Sequence, residues 1–124
     1  MKKNSNKGFT LAELLIVVAI IAVLVAISIP IFSTQLEKAR EATDMANIRS
    51  AYAEVVTQYL TNDTSHEAKV TATQKQSNWQ MYGNATSASL NERVNGVETV
   101  VSVPALITGQ YTVSIDASGS VTVN

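Results

Sequence analysis

The sequence predicts an α+β fold, in which a long N-terminal α-helix, apolar in its first half and amphipathic in its second, packs on a small C-terminal antiparallel β-sheet. From Leu14 to Leu36 run 23 residues without a charge. Beyond Ser33 apolar residues recur at steps of three and four, through Ala39, Ala42, Met45, Ile48, Tyr52, Val55, Val56 and Tyr59. Near the C-terminus the period changes to two, with Tyr111, Val113 and Ile115, then Val121 and Val123, alternating with polar residues.

The apolar run comes first. A helix rises about 1.5 Å per residue, so roughly 20 residues cross a hydrocarbon core of about 30 Å, and the run is long enough to span. Lys2, Lys3 and Lys7 precede it, whereas the charges just after it, Glu37, Lys38, Arg40 and Glu41, balance. The positive-inside rule then places Met1 in the cytoplasm and the C-terminal part outside. A cleaved secretory signal is the competing reading, because Ala26-Ile27-Ser28 offers a small-x-small cleavage pattern. Against it stand the length of the run and the carboxylate of Glu13 at its head, which costs on the order of 2.5–3.5 kcal/mol at a helix centre and less near an end. A disposable signal has no use for that cost.

The helical pattern then continues. Phe9 to Leu60 is 52 residues, or about 78 Å of helix. Pro30 lacks an amide donor and clashes with the carbonyl of Ala26, and Val23, Val25, Ile27 and Ile29 add β-branching, so the turns from Ala22 to Pro30 are the weakest. Lys38 with Glu41, and Arg40 with Asp44, read as a solvated face worth a few tenths of a kcal/mol per pair. Asn62-Asp63-Thr64 is a stop signal. Residues 62–97, rich in Ser, Thr, Asn and Gln, read as a long loop with one anchor pair, Trp79 and Tyr82, and a capping-box form at Thr64-Ser65-His66-Glu67. Strands are expected at Glu98–Ile107, Gln110–Ile115 and Ser120–Val123, with the last two joined by a turn at Asp116–Gly119. Pro104 marks the first of them as an edge or a bend.

Composition excludes several classes. From Phe9 onward six basic residues face ten acidic ones, which leaves no basic stripe for a phosphate backbone and argues against nucleic acid. There is no cysteine, hence no disulfide or thiolate metal site. The single histidine, His66, reads as a solvated loop residue with no nucleophile beside it, and the outer acidic residues lack calcium-loop spacing. Neither enzymatic activity nor a cofactor is expected. Asn62-Asp63-Thr64 and Asn84-Ala85-Thr86 have glycosylation-acceptor form, which abundant Asn and Thr produce by chance.

A short basic leader ending in Lys7-Gly8, then Phe9-Thr10-Leu11-Ala12-Glu13 and an unbroken apolar helix, closely resembles the type IV prepilins and the related pseudopilins of type II secretion. The resemblance runs from Lys7 to about Leu60. It implies cleavage by a prepilin peptidase between Gly8 and Phe9, and N-methylation of the new terminus at Phe9. It also implies a subunit-assembly role for Glu13, whose carboxylate would meet the Phe9 ammonium of a neighbouring subunit. At an effective dielectric of about 20, charges 4 Å apart gain about 4 kcal/mol, offset by desolvation, so such a pair favours registry over raw stability. Pro30 matches the proline of the family's helix, near which filaments melt locally, and Ala22 stands where many members carry glycine.

The implied organisation is a leader, 1–8, removed on maturation; a transmembrane and filament-core helix, 9–32; and an extracytoplasmic domain, 33–124, made of an amphipathic helix (33–61), a loop (62–97) and an antiparallel sheet (98–124). The implied function is a structural subunit held in the cytoplasmic membrane and then polymerised into a surface pilus. Its implied partners are copies of itself, the prepilin peptidase, an assembly ATPase, an inner-membrane platform protein and minor pilins. The nearest alternative is the major pseudopilin of a type II secretion system or a competence pilus subunit. A single-span anchor for a surface binding domain and a secreted soluble protein are the readings from other classes.

Overall fold

The computed structural model describes residues 8–94 and 96–124, so the expected leader up to Lys7 lies outside the described residues. The chain forms two compact units, one ending at Ser33 and one running from Thr34 to Asn124.

Helix α1 spans Leu11–Asn62 and continues through Pro30. It begins two residues later than the periodicity predicts because Thr10 caps it. It stops where expected: the Asp63 N–H donates to the Tyr59 carbonyl at 2.7 Å, while Asp63 takes a left-handed φ of 50°. Up to Phe32 every side chain of α1 is exposed, although the stretch is almost entirely Leu, Ile, Val and Ala. Long and apolar enough to cross a membrane, this stretch is left uncovered by the described residues.

In the second unit one face of α1 is buried through Met45, Ile48, Ala51, Tyr52 and Val55. It packs with two antiparallel sheets. The first has the order β1(His66–Thr71), β4(Gln110–Ile115), β5(Val121–Val123), and the second is a hairpin of β2(Ser87–Val94) and β3(Val97–Pro104). The shared core takes Ala68 and Val70 from β1, Ala88 and Leu90 from β2, Val101 and Val103 from β3, and Tyr111, Val113 and Ile115 from β4. Val121 and Val123 of β5 close it. The C-terminal alternation is therefore a core face, as the period-two pattern predicts. Asp116–Gly119 is the β4–β5 turn: Gly119 has φ 88°, and Asp116 Oδ1 accepts the N–H groups of Ser118 and Ser120 and the Ser118 hydroxyl. The Ser118 hydroxyl, followed by those amides, holds the Asp116 carboxyl below its ordinary range.

Several expectations need correction. Residues 62–97 are not one loop, since β1 and β2 both lie within them. Their alternation is carried by Ala68, Val70, Ala88 and Leu90 between polar residues, so low β-propensity hid a period that was present. The Asn95-Gly96 pair between β2 and β3 is also a strong hairpin signal. Thr64 caps no helix; its hydroxyl lies 3.1 Å from Nε2 of His66, which is half-buried in β1 and not in a loop. The first C-terminal strand, expected over Glu98–Ile107, runs instead from Val97 and ends at Pro104. Ala39 and Ala42 are exposed, and the face they were expected to fill is taken by Glu37, Glu41 and Asp44, all buried.

Candidate processing and assembly site

Gly8, Phe9 and Thr10 precede the helix, are extended from it and are solvent-exposed, Phe9 at 85%. A Cβ built on Gly8 meets no atom within 4 Å, and the residue has no left-handed φ. The chain's own packing therefore does not require glycine here; an external cleft that excludes a side chain would.

The next four residues form a reciprocal cap. The Thr10 N–H donates to Glu13 Oε2 at 3.2 Å, and the Glu13 N–H donates to Thr10 Oγ1 at 3.2 Å. Thr10 is the N-cap and Glu13 the third helical residue, so two helix-end donors are satisfied at once, with a carboxylate at the positive end of the helix dipole. The first helical hydrogen bond, from Leu14 N–H to the Thr10 carbonyl, measures 3.1 Å. Thr10 was missed as a site residue, although Thr-x-x-Glu before an apolar run is its signature. Glu13 thus has a local partner within its own chain. Ala22 and Pro30 lie farther along the exposed helix, about 14 and 26 Å of axial rise beyond Glu13, and do not converge with it. Between them the Ser28 hydroxyl donates to the Leu24 carbonyl at 2.7 Å.

Residues 3–29 match the family model for the prokaryotic N-terminal methylation motif. The type IV narrow pilus major component PilA5 of Thermus thermophilus is 50% identical over 50 residues. The N-terminal segment therefore carries the methylation motif and is similar to the corresponding part of a type IV pilus subunit. The match covers 38% of this chain and 43% of that relative, so it spans less than half the length of either. No solved structure is significantly similar to the chain.

Away from the terminus, the chain carries a second polar constellation on a face expected to be solvated. Three α1 carboxylates, 0–1% exposed, accept backbone N–H groups from the segment 73–81. Glu37 Oε1 takes those of Lys75 and Gln76 at 2.6 and 2.7 Å; its other oxygen accepts from Arg40 at 3.2 Å. Glu41 takes those of Gln80 and Met81, both at 2.7 Å. Asp44 takes those of Thr73 and Gln74 at 2.9–3.0 Å and the Thr73 hydroxyl at 2.5 Å. This clamp takes the place of a β-ladder along a segment that, among the described residues, pairs in β fashion only at Trp79 with Ala85, and its charge-assisted bonds are stronger than neutral ones. Behind it the Trp79 indole N–H donates to the Val103 carbonyl at 3.0 Å, and Trp79 meets Tyr82 edge-on with ring centres 6.1 Å apart. The Tyr111 hydroxyl donates to Gln74 Oε1 and accepts the Leu106 N–H, both at 3.0 Å. Burial pushes the Tyr111 phenol above its ordinary range.

Proposed function

We propose that this chain is a structural subunit, and not an enzyme, that is cut after Gly8, N-methylated at Phe9, stored in the cytoplasmic membrane through residues 9–32, and assembled through that helix into a pilus filament on the bacterial surface. The observation that carries the reading is the methylation motif set on a helix whose apolar side chains are all exposed as far as Phe32. Lipid covers those side chains before assembly, and the helices of other copies cover them afterwards. The pilus role of the Thermus relative favours a pilus over a secretion pseudopilus.

In this reading Glu13 changes partner. In the single chain it caps its own helix, and in the filament it faces the Phe9 ammonium of a neighbour, which gives registry without leaving the carboxylate unsatisfied at any stage. The stretch from Ala22 to Pro30 is where assembly would loosen the helix, because Pro30 cannot donate to the ladder. Prepilin peptidase, an assembly ATPase with its membrane platform, and minor pilins are the partners the cycle calls for. Residues 33–124 lie outside the membrane, with the N-terminus inside.

The test is intact-mass and N-terminal peptide analysis of the protein from native membranes and from sheared surface material. A mature chain beginning at N-methylated Phe9 is expected in both. A chain that keeps Lys2 to Gly8 in a cell with an active prepilin peptidase would overturn the proposal.

A further inference from the structure

We propose that β3 and β5 are the two lips of a seam that closes, joining the two sheets into one five-stranded sheet of order β2-β3-β5-β4-β1, so that the second unit has an open and a closed form. The inference concerns the second unit alone and does not depend on the filament reading.

The two lips run the same way. The Tyr111 hydroxyl, at the start of β4, accepts the N–H of Leu106 just past the end of β3, and Asn124, just past the end of β5, exchanges both backbone hydrogen bonds with Thr112. Both strands therefore end beside the start of β4. A β3 running antiparallel to β5 would end beside Val121, whose β4 partner is Ile115, four residues or about 13 Å from Tyr111 and beyond the reach of its phenol. The Cα atoms of β3 and β5 come within 8 Å of one another, yet among the described residues no hydrogen bond joins them and they belong to separate sheets. Between them lies an open slot of about 480 Å³, lined by Val100, Ser102 and Pro104 on one side and Val121, Thr122 and Val123 on the other. Several waters fit there at ~30 Å³ each.

Register decides which backbone groups face the slot. Thr112 pairs with Asn124 and Asp116 donates to Ser120, so by the alternation of an antiparallel ladder Thr122 is bonded to β4, while the N–H and C=O of Val121 and Val123 point the other way. In the hairpin the Ala105 N–H donates to the Thr86 carbonyl at 3.3 Å, so Val101 and Val103 are bonded to β2 and the backbone groups of Val100 and Ser102 point to the slot. A parallel ladder uses these groups. With Ser102 level with Thr122, the Val121 N–H meets the Val100 carbonyl, the Ser102 N–H meets the Val121 carbonyl, and the Val123 N–H meets the Ser102 carbonyl. Pro104, which has no N–H, ends the ladder where β5 ends.

Side chains already stand as the closed form needs them. Val101, Val103, Val121 and Val123 are buried in the shared core, whereas Val100, Ser102 and Thr122 are exposed, so joining the strands leaves every side chain on its own face. Paired strands lie about 4.8 Å apart, and closure from 8 Å is a movement of about 3 Å. Open, the hairpin shifts against the three-stranded sheet while water serves the three donors. Removing that water favours the closed form, because buried amides without acceptors are costly.

The chain has no cysteine, so one engineered pair oxidises without competition. Ser102→Cys with Thr122→Cys sets two thiols on facing outward positions, at a closed Cα spacing of about 4.8 Å that a disulfide spans. Amide hydrogen exchange is followed by NMR on the full chain in non-ionic micelles. In the unaltered chain the amides at 102, 121 and 123 are expected to exchange at least tenfold faster than those at 101, 103 and 122, which are bonded in both forms. Oxidation of the pair is expected to give an intramolecular disulfide and to narrow that gap to within about threefold. A pair that stays reduced, or a disulfide that leaves the gap unchanged, would overturn the seam. So would an unaltered chain without the gap, since the strands would then be paired permanently. If this pair does not fold, Val100→Cys with Ser120→Cys, one row back along the same ladder, is read by the same criteria.

Discussion

Removing the Asp44 carboxylate should destabilise the second unit more than any exposed charge change. Asp44 is 0% exposed and accepts the N–H groups of Thr73 and Gln74 as well as the Thr73 hydroxyl. In Asp44→Ala the hydroxyl can turn to the Arg40 carbonyl, 3.3 Å away, but the two amides lose their acceptor. Each buried donor left without a partner costs about 1–3 kcal/mol, so the expected loss is about 4 kcal/mol, a large share of the ~5–15 kcal/mol that holds a small domain together. Asp44→Asn keeps one accepting oxygen but turns an amide donor toward one of those N–H groups, and should cost about half as much. Glu54→Ala, on an exposed position of the same helix, is the control and should stay within about 0.5 kcal/mol. Urea titration of the full chain in non-ionic micelles reads this directly, because the single tryptophan, Trp79, is fully buried within the clamped segment. An Asp44→Ala midpoint indistinguishable from that of Glu54→Ala would refute the view that carboxylates hold residues 73–81 to the helix.

Tyr111 gives an alkaline limit. Burial raises its folded pKa above 10.0, so the folded state holds the proton more tightly, and stability is complete below pH ~10 and falls as pH rises through the folded value. Tyr111→Phe should remove much of that slope while costing about 1–3 kcal/mol at neutral pH, through the orphaned Leu106 N–H, in the same urea assay. Tyr52 is the counter-case: its buried hydroxyl has no hydrogen-bond partner among the described residues, and burial followed by the Glu92 charge raises its pKa, so Tyr52→Phe should be neutral or stabilising within about 0.5 kcal/mol. Gly119→Ala should cost about 1 kcal/mol in thermal unfolding, because φ is 88°, while the added methyl makes only an ordinary contact with the Tyr59 ring at 3.5 Å.

The elements that announced themselves in the sequence are those whose reasons are local. The uncharged run, the helix stop at Asn62-Asp63, and the alternation of Tyr111, Val113 and Ile115 each depend on a few neighbouring residues, and the structure keeps them where expected. The cap on Glu13 was legible in the same way, in Thr10-Leu11-Ala12-Glu13, but a carboxylate beside a membrane run drew attention to distant partners and away from the amide three residues back. β1 and β2 were hidden because their inward positions are filled by alanine and by single aliphatics, which contribute less than β-branched residues to a strand signal.

The clamp was harder to see, because charges at helical spacing have two physical solutions. On an exposed face they pair with each other and with water; on a covered face they must find buried donors. What separates the two here is the line of the buried stripe. Followed toward the N-terminus from Val55 and Tyr52 through Ile48 and Met45, steps of three and four lead to Asp44, Glu41 and Glu37, and not to the bases between them. Once the face is known to be covered, the chain that covers it is constrained. Residues 73–81 contain only Trp79 and Met81 as apolar side chains, too few to hold by burial, so the segment is held by its own amides. A domain of this size without a disulfide thus uses the helix that anchors it as a rack of acceptors, and a chain change that shifts α1 by one residue would remove core and clamp together.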